Sequence, residues 1–179
     1  MQDRPGGARR KKDDAMIEEQ KPADAIRAAL KARGITRRQV AVVHEHYSMG
    51  STIHVTVKDP AVRLSAVKEI AKMYENVARD SYSGEFLSAG NRFVNVEYAP
   101  AALAPIVAEL LPTIEALPAD GTVVELRGGA YRAFRDPQDG RMFAIVNADG
   151  PDIYCCGAEF AARQLAERIV DPPVGVLAV

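Results

Sequence analysis

Apolar and polar residues alternate along two neighbouring runs of the chain, residues 40–47 and 51–58, which predicts a β-hairpin. We place its two-residue turn at Met49 and Gly50, because glycine readily adopts the positive φ of a tight hairpin turn. In that register Glu45 lies opposite His54, and the two faces of the hairpin differ in polarity. The apolar face then holds Val40, Val42, His44, His46, Ile53, Val55 and Val57, and the polar face holds Glu45, Tyr47, Thr52, His54, Thr56 and Lys58.

Apolar positions at spacings of three and four predict a helix on either side of this hairpin. The first helix spans residues 22–33 and stops at Gly34. The second begins at Asp59, whose carboxylate suits an N-cap, and Pro60, which suits the first helical turn. Its apolar stripe should cover the apolar face of the hairpin.

The remaining pattern predicts a third strand, a long helix and then a set of short strands. The third strand spans residues 91–98, and the helix runs over residues 101–117, where Pro105 and Pro112 should bend or divide it. Turn-forming Gly, Pro and Asp residues separate the short strands that follow. These strands are expected at residues 122–126, 131–135, 142–147 and 153–156, with a final helix at residues 158–170.

Together these elements predict an α+β protein. Its first part is an αββαβα domain whose antiparallel sheet is covered by helices, and its second part is a small antiparallel ββββα unit. The expected segments are a disordered charged tail at residues 1–20, the first domain at 21–117, the ββββα subdomain at 118–171 and a C-terminal tail at 172–179.

Composition narrows the functional classes. The chain has 179 residues and is 47% hydrophobic, so it can bury a core, and it has no apolar run long enough to span a bilayer. We therefore expect a soluble, cytoplasmic protein without a membrane partner. The net charge of −1 divides into +5 over residues 1–58 and −6 over residues 59–179. This asymmetry can orient the protein on a charged partner or on a second copy of itself, but the chain lacks the overall basicity of a general nucleic-acid binder.

Basic residues in the N-terminal part nevertheless favour a nucleic-acid-binding alternative. Two features weaken this alternative. Asp13 and Asp14 directly follow the basic run of the tail and offset its charge, and the cations near the end of the first helix are also explained by the helix dipole. The candidate phosphate contacts are Arg9, Arg10, Lys11, Lys12, Lys31, Arg33, Arg37 and Arg38.

Motifs for catalysis and for metal binding are weak. His44 and His46 form a His-x-His pair, but they should point inward on the apolar face, and no Cys or carboxylate stands at ligand spacing. The best catalytic candidate is His54 with Glu45 and with Tyr47 or Ser48, although a cross-strand Glu/His pair is also a simple stabilising contact. The sequence therefore predicts no metal site and no cofactor.

The C-terminal unit offers little chemistry of its own. The aspartates Asp136, Asp139, Asp149 and Asp152 are typical of turns rather than of a calcium loop. Cys155 and Cys156 are neighbours in a predicted strand, so they should point to opposite faces, one buried and one accessible.

A long connection without clear periodicity, residues 75–90, is the second region where function is expected. Together with the hairpin it supplies the candidate binding residues Glu45, Tyr47, Ser48, Met49, Ser51, Thr52, His54, Tyr82, Ser83 and Glu85.

The stretches HYSMGSTIHVTVKD, YSGE and NRFVNV, in this order of elements, resemble the large polyvalent protein-associated domains, specifically the twenty-ninth of that series. The resemblance covers residues 22–117. The chain departs from the family pattern because it is short and has its own C-terminal extension. It implies a setting in phages or conjugative elements and carries over no catalytic residues. The matching positions are Tyr47, Ser48, Gly50, Ser51, Ile53, Val55, Asp59, Asn91, Arg92, Phe93 and Val94.

The resulting expectation is a non-enzymatic binding protein of phage or mobile-element origin. It would act by protein–protein interaction on a host or mobile-element factor, as a counter-defence inhibitor of the anti-CRISPR type does, and a homo-oligomer stays open. The alternatives are a nucleic-acid-binding accessory protein that uses the basic N-terminal half, and an unrecognised enzyme that uses His54 and Glu45.

Overall fold

The structure is a computed structural model, and it describes residues 21–79, 82, 90–147 and 153–172. Several residues singled out from the sequence therefore lie outside the described part. They are Arg9, Arg10, Lys11, Lys12, Ser83, Glu85, Asp149 and Asp152.

The first sheet has three strands in the order β1 (Val40–Tyr47), β2 (Gly50–Val57) and β3 (Asn91–Tyr98). β1 and β2 form the predicted antiparallel hairpin, but β3 runs parallel to β2. The sheet is therefore mixed rather than wholly antiparallel. A parallel neighbour requires a crossover connection, and the helix between β2 and β3 lies in that connection. The α+β class is confirmed.

Two helices pack with the first sheet: α1 (Pro22–Ala32) contacts β1, and α2 (Leu64–Lys72) contacts β3. Their buried apolar side chains join those of the sheet in one core. Gly34 ends α1 as predicted: its φ is 78°, and the Ile35 N–H donates to the Leu30 carbonyl at 3.0 Å.

The prediction that the second helix begins at Asp59 and Pro60 is wrong. Asp59 instead closes a turn in which its carboxylate accepts the Ala61 N–H at 2.9 Å, and the helix begins at Leu64. One acceptor for the first turn of α2 is distant in the sequence. Asp171 accepts hydrogen bonds from the Ser65 N–H at 2.6 Å and from the Ser65 hydroxyl at 2.8 Å.

The second unit has a four-stranded antiparallel sheet, with one helix before it and one helix after it in the sequence. Its elements are α3 (Pro100–Glu115), β4 (Val124–Leu126), β5 (Tyr131–Arg135), β6 (Met142–Asn147), β7 (Ile153–Cys156) and α4 (Ala158–Val170). The helix α3 continues through Pro105 and Pro112, so the prolines do not divide it. The helix α4 packs on β6, on β7 and on α3, and the buried residues of both units form a single cluster.

Tyr98, at the end of β3, connects this strand to the segment at the start of α2. Its side chain is fully buried, its hydroxyl donates to the Val62 carbonyl at 3.0 Å and it accepts the Leu64 N–H at 3.2 Å. Burial raises the pKa of Tyr98 to about 12.

Stability should therefore fall at alkaline pH. Because the pKa is about 12 in the folded chain and about 10 in the unfolded chain, the contribution of Tyr98 is complete below pH 10 and is lost as pH rises towards 12, at a cost of up to about 2–3 kcal/mol. Urea unfolding at pH 8, 10 and 11 measures the loss. Tyr98→Phe should be less stable at pH 8, since two buried backbone groups lose their partner, and should lose less on going to pH 11. An equal alkaline loss in both proteins would contradict the assignment.

Candidate functional site

The hairpin turn lies at Ser48 and Met49, not at the predicted Met49 and Gly50. Tyr47 pairs with Gly50, so Glu45 stands opposite Thr52 rather than His54. The observed register differs from the prediction by two residues. Because side chains alternate with a period of two, an even shift leaves every side chain on its predicted face.

The polar side chains of the hairpin share one face of the sheet. The Glu45 carboxylate lies 3.5 Å from Nε2 of His54, and the hydroxyls of Tyr47 and Thr52 are 3.1 Å apart. Val43 and Tyr47 are 51% and 49% exposed on this face. The register places Phe93 and Asn95 of β3 beside Thr52 and His54. We name this surface the open face, and its residues are Val43, Glu45, Tyr47, Thr52, His54, Thr56, Phe93, Asn95 and Glu97.

The remaining candidate residues do not all belong to the open face. Ser48 and Met49 are exposed at the turn, and Tyr82 is exposed in the connection before β3. Ser51 was expected to be part of the binding surface, but it is only 8% exposed. It lies on the opposite face, in the central strand beside Arg92 of β3, and is therefore unavailable to a partner.

The two histidines of the apolar face are less buried than predicted. Burial along β1 ends at Val42, so His44 is half-buried and His46 is exposed. Their rings stack at 4.1 Å between centroids, with planes tilted by 43°. Burial, followed by the charges of His46 and Arg92, lowers the pKa of His44. This pair has no third ligand: no group of three or more His, Cys, Asp and Glu side chains that could hold a metal ion occurs in the described part of the chain.

The Glu45–His54 pair lies on the exposed surface of the first sheet. The two side chains do meet, and both are partly exposed on the surface of the sheet. Three cavities of about 640, 450 and 260 Å³ lie elsewhere, and neither residue lines any of them. A general base needs a substrate held beside it in a concave site. The geometry therefore favours a stabilising cross-strand contact over catalysis.

The largest of these cavities, of about 640 Å³, lies between α3 and α4 and was missed in the sequence analysis. The available signal was the absence of charge from residues 100–108, because a helix that is apolar on every side has more apolar surface than one core contact can cover. We name this cavity the α3–α4 groove. It is lined by Pro100, Ala101, Leu103, Ala104, Val107, Ala108, Leu111, Glu159, Phe160 and Arg163.

The basic residues around the end of α1 form a separate surface. Lys31, Arg33, Arg37 and Arg38 are all exposed, and none of the four forms an ion pair with another described residue. Lys31 and Arg37 line the cavity of about 450 Å³ together with Arg27. The cluster also lies at the C-terminal end of α1, where the helix dipole attracts cations and disfavours anions.

The first strand of the C-terminal unit begins at Val124, two residues later than predicted. The predictions for its cysteines and for Asp136 and Asp139 are confirmed. Cys155 is buried and Cys156 is exposed, and burial raises the pKa of Cys155. Asp136 accepts the Gln138 N–H at 2.7 Å, and Asp139 accepts the Arg141 N–H at 3.0 Å. These carboxylates are engaged in turns, as predicted.

Comparisons with protein-family models, with curated proteins and with solved structures gave no match. Among the described residues, no helix is long and apolar enough to cross a membrane.

Proposed function

We propose that this chain is a non-enzymatic binding protein and that the open face is the surface on which its protein partner docks. The observation that carries the proposal is the exposure of Val43 and Tyr47 on a sheet face where Tyr47 contacts Thr52 and Glu45 contacts His54. Tyrosine is enriched among the residues that dominate binding energies at protein interfaces.

The open face is also organised in advance of binding. The Tyr47 hydroxyl is held by Thr52, and Glu45 is held by His54. Side chains fixed before association lose less conformational entropy on binding, so more of the contact energy contributes to affinity. The strands beneath them pair on both sides of β2, which keeps the spacing of these groups constant.

The biological setting of the proposal rests on the sequence resemblance. A protein carried by a phage or a mobile element, acting in the cytoplasm of a bacterial host as a counter-defence inhibitor, needs a specific contact with a host factor and no catalytic centre. The open face supports that mode of action, because it presents exposed apolar and polar side chains side by side on one sheet surface.

A photo-crosslinking phenylalanine derivative at position 43 of the full chain, expressed in bacterial cells, tests the proposal. We expect a crosslinked protein adduct, and we expect Tyr47→Glu to lower its yield at least about tenfold, because a charge at the centre of an interface is costly. The matched control is Tyr154→Glu, since Tyr154 is comparably exposed but lies on the second sheet. No adduct, or an adduct that is insensitive to Tyr47→Glu in a folded variant, would rule out the open face.

The second candidate is nucleic-acid binding through Lys31, Arg33, Arg37 and Arg38. The observation that favours it is that all four cations are exposed without an ion pair to the described residues. A titration of the full chain with single- and double-stranded DNA at several salt concentrations decides between the candidates. Micromolar binding with a steep salt dependence would support this function, and no binding near physiological salt would exclude it.

A further inference from the structure

We propose that the α3–α4 groove is the contact surface of a homodimer and that its occupant is the same surface of a second copy of this chain. This inference is independent of the proposed function, because the groove and the open face share no residue. It starts from an apolar surface that the described residues leave exposed: Phe160 is 53% exposed, and Ala101, Ala104 and Ala108 are exposed along α3.

The shape of this surface is suited to pairing with itself. In a two-fold dimer the same patch meets itself, so it must carry both a projecting group and a hollow that accepts it. Phe160 projects from α4, and the groove of about 640 Å³ lies beside it along α3. The small side chains of Ala104 and Ala108 leave room for a close approach of the second copy.

The charges at the edge of the groove are also suited to pairing with a second copy. Glu159 and Arg163 are the charged residues of the groove, and they stand one helical turn apart on α4. When two copies of α4 lie antiparallel about a two-fold axis, Glu159 of each copy faces Arg163 of the other. Arg163 also forms an ion pair with Glu167 of its own helix at 3.5 Å, a partly exposed contact that contributes little. Glu159 forms no ion pair with another described residue. A second copy brings an arginine to Glu159, so charge complementarity favours it over an acidic foreign partner.

The size of the surface is small for a stable dimer. The described α3 has 16 residues, which makes it about 24 Å long, and two adjacent helices about 10 Å wide give a footprint on the order of 500 Å². Stable complexes bury about 800 Å² on each partner, so this dimer should be weak, with dissociation in the micromolar range. The monomer and the dimer should therefore both be visible at accessible concentrations.

Sedimentation velocity of the full chain at concentrations between about 1 and 200 μM measures the monomer–dimer equilibrium and tests the proposal. We expect the wild type to shift from monomer to dimer, and we expect Ala104→Glu to raise the dissociation constant at least about tenfold. The matched control is Ala28→Glu, because Ala28 is also an exposed helical alanine but lies in α1 outside the groove. Circular dichroism verifies that each variant is folded. A wild type that stays monomeric throughout, or a dimer that is unaffected by Ala104→Glu, would overturn the inference.

A charge exchange tests the geometry more sharply. Glu159→Arg and Arg163→Glu should each weaken the dimer, and the double variant should restore it, because the two charges change places on both copies. Truncation after Pro172 tests the main rival occupant, the apolar C-terminal sequence 173–179. A monomeric wild type whose truncated form dimerises would assign the groove to the chain's own C-terminal segment and would overturn the proposal.

Discussion

Replacing Asp171 with alanine is expected to lower the free energy of unfolding by about 3 kcal/mol. The Asp171 carboxylate is 10% exposed and accepts hydrogen bonds from the Ser65 N–H at 2.6 Å and the Ser65 hydroxyl at 2.8 Å. It also pairs with the Arg63 guanidinium at 3.0 Å. Bonds to a charged acceptor are stronger than neutral ones, and Ser65 stands in the first turn of α2, where backbone N–H groups have no partner within the helix.

The measurement is chemical denaturation of the wild type and of Asp171→Ala, followed by circular dichroism. Asp171→Asn should lose less, because its amide oxygen still accepts one bond. Arg63→Ala isolates the ion pair; Arg63 is half-exposed, so this variant should lose less than about 1 kcal/mol. An Asp171→Ala protein within about 0.5 kcal/mol of the wild type would show that water replaces the carboxylate at the helix end without a significant cost.

The elements that the sequence predicted well are those determined by local signals. Gly34 ends α1 because its own φ is positive, and β5, β6, β7 and α4 have the predicted bounds because turn residues separate them from their neighbours. The predicted start of α2 was wrong because the observed start depends on a residue that is distant in the sequence. Asp59 and Pro60 are good local signals for a helix start, but the acceptor that caps α2 lies 106 positions away, at Asp171.

The open face was predictable because it depends only on the alternation of side chains. A register error of two residues moved the turn from Met49 and Gly50 to Ser48 and Met49 but left Glu45 and His54 on their face. The same alternation places Ser51 on the apolar face, because Ser51 is two residues from Ile53, so naming it as a binding residue was wrong on the sequence pattern itself. The sequence does not specify which strand lies beside β2, so the neighbour of Ser51 in β3 was not predictable. The α3–α4 groove likewise requires that α3 and α4 meet in space.

Substituting alanine for Gly50 is expected to cost about 3 kcal/mol or more, because the added methyl group has no space. A Cβ atom at position 50 would lie 2.4 Å from the backbone carbonyl oxygen of Asn91. Gly50 and Asn91 are the first paired residues of β2 and β3. A backbone atom cannot rotate away as a side chain can, so the two strands must separate at this end, and the pairing that holds Thr52 and Ser51 in place should weaken.

The matched control is Gly34→Ala, which makes the same substitution at a glycine whose φ is 78° and whose Cβ would meet nothing within 4 Å. It should lose only about 1–2 kcal/mol, the cost of a left-handed backbone conformation. Denaturation of both variants separates close approach from backbone preference, since only Gly50→Ala introduces a contact. If Gly50→Ala proved no less stable than Gly34→Ala, β3 would have to move away from β2 at little cost, and the parallel pair would be looser at its start than the described register indicates.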